Sequence, residues 1–108
     1  MTIMFCSFDR QPQIMRLYGH ARPVHPRDQE WVELAELFGS PPGSRQCFVL
    51  EVDLVQTSCG FAVPLFEFKS ERPTLVSWAE KKGEAGIRDY WTAKNTVSLD
   101  GYETGIEL

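Results

Sequence analysis

Hydrophobic and polar positions change their spacing several times along this chain. In Phe48 to Val55, FVLEVDLV, Phe48, Leu50, Val52 and Leu54 alternate with Val49, Glu51, Asp53 and Val55. A period of two predicts a half-buried antiparallel strand with its acids outward. Thr2 to Phe8, TIMFCSF, is strand-like and largely apolar on both faces, which predicts burial on both sides. Asp9-Arg10-Gln11-Pro12 reads as a turn, and Gln13 to Arg22 as a second strand that completes a hairpin. Gly19 within it marks a bulge or a close approach of backbone.

The period then lengthens. His25-Pro26-Arg27-Asp28 reads as a helix start, with proline at the first helical position and an acid in the first turn. Trp31, Leu34, Ala35 and Phe38 follow at the spacing of one buried helix face, Gly39 closes the helix, and SPPGS is a loop. Gly60 to Phe68 predicts one more strand. Pro73 opens a second helix with Leu75, Trp78 and Ala79 on one face, and KKGEAG interrupts it. A third helix, Ile87 to Lys94, carries Ile87, Tyr90, Trp91 and Lys94 on one stripe and ends near Asn95. The tail is polar and turn-rich, and no internal repeat is present. The order β-β-α-β-β-α-α predicts an α+β fold with an antiparallel sheet, one domain over residues 1–108. The expected core is Ile3, Phe5, Leu17, Leu34, Phe38, Phe48, Leu50, Val52 and Leu54.

Composition narrows the function. The 108 residues are 43% apolar and 24% charged, the balance of an ordinary globular domain. With 15 acidic and 11 basic side chains the net charge is −4, and no basic stripe offers phosphate neutralisation along a nucleic acid. The apolar runs are too short to span a bilayer, and the N-terminus reads as free of a secretory leader. Cys6, Cys47 and Cys59 are odd in number and far apart, so they predict neither a disulfide framework nor a metal knuckle. A reduced, cytoplasmic setting follows. His20 and His25, the only histidines, have no metal-ligand spacing to a carboxylate or thiol.

QTSCGFAVP, residues 56–64, is the stretch that the strand pattern does not absorb. Small polar residues, a thiol and a glycine at a strand end predict either a barrel corner or a place where backbone and hydroxyls meet a ligand. Cys59 lacks a base close in sequence and reads as a buried structural thiol. Ser58 has no nucleophile-elbow signature.

RLYGHARPV after a buried TIMFCSF strand, a short helix, VDLVQTSCGFAVP, and LVSWAEKKGEAGIRDYWTAKNTVSLDGYETGI follow in an order that resembles the pyridoxamine 5′-phosphate oxidase-like flavoproteins. The resemblance runs through the whole chain and matches the C-terminal part of such proteins, so Met1-Thr2-Ile3-Met4 looks like the middle of a longer one. It implies an antiparallel split β-barrel with C-terminal helices, an FMN-dependent oxidoreductase acting on a small molecule, and a homodimer. The flavin would meet Gln13, Gln56, Thr57 and Ser58, with no side chain required as acid or base. The tryptophan, arginine and Arg-x-His positions of the oxidase are not matched, which speaks against pyridoxamine phosphate as substrate. The alternative is a flavin-free half-barrel that self-associates, with Tyr90 and Trp91 near the contact.

Overall fold

The computed structural model describes residues 1–106. Its elements are β1 (Thr2–Cys6), β2 (Gln13–Val24), α1 (Trp31–Leu37), β3 (Cys47–Cys59) and α2 (Thr74–Lys94). The fold is α+β, and the chain forms two compact units. One comprises Met1–Pro23 and Phe48–Glu71, the other Val24–Cys47 and residues 72–106. No helix among the described residues is long and apolar enough to cross a membrane.

The first unit carries an open three-stranded sheet in the order β1-β2-β3. The predicted hairpin is present: β1 and β2 pair antiparallel, from Thr2 opposite Tyr18 to Cys6 opposite Ile14. Side-chain pairs Arg16–Ser58, Tyr18–Gln56 and His20–Asp53 descend β3 as they climb β2, so that pair is antiparallel as well. In the hairpin turn, the Asp9 carboxylate accepts the Ser7 hydroxyl at 2.7 Å and the Gln11 N–H at 2.9 Å. Those two bonds, the Ser7 one foremost, hold its carboxyl below the usual value of 3.8.

Two glycines permit the strand geometry. A Cβ on Gly19 would run into the Glu51 carbonyl and lie 3.1 Å from the Val52 Cα, so the position is a close approach of β2 to β3. Gly60 is buried, and its N–H donates to the Pro12 carbonyl at 3.1 Å. A Cβ there would be 3.1 Å from the Gln13 nitrogen. β3 therefore continues four residues past Val55, through Gln56-Thr57-Ser58-Cys59, and the corner comes at Gly60.

The strand expected over Gly60 to Phe68 does not form. After a turn closed by the Val63 N–H on the Gly60 carbonyl at 2.8 Å, the segment is irregular. Pro64 has no N–H to give a ladder. Besides the Gly60–Pro12 bond, a backbone bond from the Phe66 N–H to the Phe8 carbonyl at 3.0 Å and the Phe8–Phe66 ring contact at 5.4 Å tie it to the hairpin.

The core differs from expectation too. Ile3, Leu17 and Leu50 are half-buried, but Phe5, Phe48, Val52 and Leu54 are exposed, and β1 is not buried on both faces. From Glu51 to Cys59, β3 is exposed on both faces, so the half-buried face expected of it is not formed. A three-stranded sheet whose own unit holds no helix or second sheet has nothing to bury it against.

Full burial occurs in the second unit, at Val24, Ala35, Ala79, Ile87 and His25. α1 begins at Trp31 rather than Pro26, because Asp28 closes a turn first. Its carboxylate accepts the His25 N–H at 2.7 Å, and its N–H donates to the His25 carbonyl at 2.9 Å. Of the expected helix face, Ala35 is buried and Trp31 and Leu34 are half-buried. Phe38 is 69% exposed, since it is the C-cap and has left helical geometry (φ −105°, ψ 9°). The helix ends in a Schellman motif, with Ser40 N–H on the Ala35 carbonyl at 2.9 Å and Gly39 N–H on Glu36 at 3.0 Å.

α2 breaks at Gly83 (φ 65°, ψ 173°), inside the predicted KKGEAG interruption. Leu75 is exposed, while Ala79 before the break and Ile87 after it are buried. The Trp78 and Tyr90 rings meet edge-on at 5.1 Å across the break, and the Lys82 ammonium lies 5.8 Å from the Trp78 ring centre. The tail closes a small bridge, Val97 opposite Glu103.

Gly19→Ala is expected to lower stability by about 1–3 kcal/mol, because backbone and not a side-chain tip blocks the new methyl; urea unfolding measures it. Ser7→Ala should raise the Asp9 pKa, read by carboxyl NMR titration. A lowered folded-state pKa means that the Asp9 contribution to the turn is present above the ordinary carboxylate value and is lost as pH falls through the lowered one.

Candidate functional site

Two strand termini come together where β2 begins and β3 ends. The Gly60 N–H bond to Pro12 and the close approach of Gly60 to the Gln13 nitrogen bring the start of β2 beside the end of β3. All four residues singled out from sequence, Gln13, Gln56, Thr57 and Ser58, are in this unit and are exposed. Strand alternation then divides them. Gln56 and Ser58 share one face of the sheet, and Gln13 and Thr57 fall on the other.

The face with Gln56 and Ser58 holds two residues that the sequence reading did not select. The Arg16 guanidinium donates to the Ser58 hydroxyl at 3.2 Å, and the Tyr18 hydroxyl donates to the Gln56 side-chain carbonyl at 3.2 Å. Arg16–Ser58 and Tyr18–Gln56 make a polar row across β2 and β3. Farther along, His20 Nδ1 and the Asp53 carboxylate are 2.9 Å apart, both well exposed, with Asp53 one position out of step with Gln56 and Ser58 along β3. The signal for Arg16 and Tyr18 was legible: Arg16, Tyr18 and His20 alternate with Met15 and Leu17, a period of two that marks one polar face.

These groups offer a guanidinium, a phenol, an amide and a hydroxyl to a ligand laid on the sheet. Such a set is suited to an oxygen-rich ligand with an anionic end, since the guanidinium pairs bidentately with phosphate or carboxylate. The row contains no general acid or base placed against a nucleophile. Cys59, Cys6 and Cys47 are free thiols, and Cys59 is exposed rather than buried, because it ends β3 in the part of the strand that nothing covers. Among the described residues, no group of three or more His, Cys, Asp or Glu side chains is arranged to hold a metal ion.

No family model matches the chain, and no solved structure matches it. A curated protein of Aspergillus flavus, described as a pyridoxamine 5′-phosphate oxidase family protein, is 34% identical over 117 aligned positions. The alignment takes in 93% of this chain but 46% of that relative, so the chain spans about half the length of the protein it matches. The motifs and the comparison agree: over nearly its whole length, the chain is a homologue of a pyridoxamine 5′-phosphate oxidase family protein.

Proposed function

We propose that the chain is part of an FMN-dependent oxidoreductase of the pyridoxamine 5′-phosphate oxidase-like class, built on a split barrel and acting as a homodimer on a small molecule other than pyridoxamine phosphate. The observation that carries the proposal is the homology along 93% of the chain. The polar row supports it. Gln56 and Ser58 can meet polar edges of a flavin, and Arg16 offers the charge that a phosphate needs. Gln13 and Thr57, exposed on the opposite face at the same strand ends, are the remaining contacts. Bound FMN would supply the redox chemistry, leaving these side chains to bind and orient.

The exposed apolar residues of the sheet support the dimer. Met4, Phe5, Phe48 and Leu54 are each more than half exposed, a distribution that one chain leaves uncovered and a second copy can bury. The same exposure favours the second reading, a flavin-free module that self-associates.

Colour and titration separate the two. FMN fluorescence should be quenched as protein is added, and the triple change Gln56, Thr57 and Ser58 to Ala should weaken binding by about 0.5–1.5 kcal/mol for each hydrogen bond lost. A colourless protein that FMN cannot titrate supports the flavin-free module. Unchanged affinity in the triple variant moves the site elsewhere.

Light scattering at tens of micromolar should give a dimer mass. A monomer would count against both readings of assembly.

A further inference from the structure

The second unit contains a cavity of about 510 Å³ between α1, the Pro42-Gly43-Ser44 loop and the broken helix α2. Its floor is apolar: Ala79 and Ile87 are among the most buried side chains of the protein, and Gly43 lies over them. Trp31 from α1 and Trp91 from α2, both half-buried, line it as well. Glu80 before the break at Gly83, and Glu84 and Arg88 one turn apart after it, stand at its edge. Neither carboxylate has a hydrogen-bonding or ionic partner among the described residues. The lining thus joins two indole rings with two carboxylates and one guanidinium, a net charge of −1 beside an apolar floor.

Indole rings and unpaired carboxylates attract the same kind of ligand. Tryptophan is the side chain that binds a cation best through its ring face, and Glu80 and Glu84, both exposed, add Coulomb attraction at the cavity edge. The protein already makes such a contact nearby, with Lys82 over Trp78. A neutral apolar guest would bring no partner to Glu80 or Glu84, and an anion would meet their repulsion. We propose that this cavity is a binding site for an organic ammonium ion, its charged head set among Trp31, Trp91, Glu80 and Glu84. The site belongs to the helical unit alone and does not depend on a flavin at the sheet.

Choline and its uncharged carbon isostere, 3,3-dimethyl-1-butanol, test the charge at nearly constant shape. Titrations are followed by the indole N–H signals in NMR spectra of the whole chain, with Trp78 as the internal control because it does not line the cavity. Choline should shift Trp31 and Trp91 and bind about 3- to 30-fold more tightly than the isostere. Glu84→Gln should weaken choline binding about 2- to 5-fold, and Arg88→Gln should strengthen it. Loss of structure cannot produce changes of opposite sign, so the two variants keep the test decisive. Equal binding of choline and the alcohol, no binding of choline at tens of millimolar, or weakening by both variants would overturn the proposal.

Discussion

The close passage of backbone past Gly60 is the constraint on which the candidate site depends. The N–H there reaches the Pro12 carbonyl, and no side chain separates the two segments. A Cβ at that point would press on Gln13 and Pro12, displacing the end of β3 from the start of β2. Gly19 does the same farther along, against the Glu51 carbonyl. Between these contacts the central strand is held against β3, and the row Arg16, Tyr18, Gln56 and Ser58 is aligned across it. QTSCGFAVP is therefore the end of a long strand followed by a tight corner. Its small residues serve the crossing of the chain, while Gln56 and Ser58 join a polar face.

The two units contrast in how their apolar residues are used. The helical unit buries Val24, Ala35, Ala79 and Ile87, and leaves Trp31 and Trp91 half-buried around a cavity. The sheet unit has more large apolar side chains than it covers. Phe61, Leu65, Phe66 and Phe68 in the segment after Gly60 are all strongly exposed. Burial of such surface contributes roughly 25 cal/mol per Å², so it favours any further layer that covers it.

Much of the local structure was readable from residue order. The hairpin, the second strand, the end of α1 at Gly39 and the break in α2 at Gly83 follow from turn residues and periodicity, whose causes act within a few positions. The Asp9 turn is equally local, since its hydrogen-bonding partners are two residues away on either side. Helix α1 began later than its proline implied because the Asp28 carboxylate captured the His25 N–H. That competition between a turn and a helix is decided by small energies that residue types alone do not rank.

Sequence by itself determined the α+β class, the hairpin, the likeness to a pyridoxamine 5′-phosphate oxidase family protein and the location of Gln13, Gln56, Thr57 and Ser58 at strand ends. Tertiary structure decided which of them share a face. It placed Arg16 on Ser58 and Tyr18 on Gln56, pairs separated by 42 and 38 positions along the chain. It also decided that the apolar positions of β3 are exposed within this chain, and that Trp31 and Trp91 border a cavity with Glu80 and Glu84. Periodicity states which residues belong to one face of an element, but a face is buried only by what packs on it. That depends on contacts between segments far apart in the chain, which no local pattern encodes.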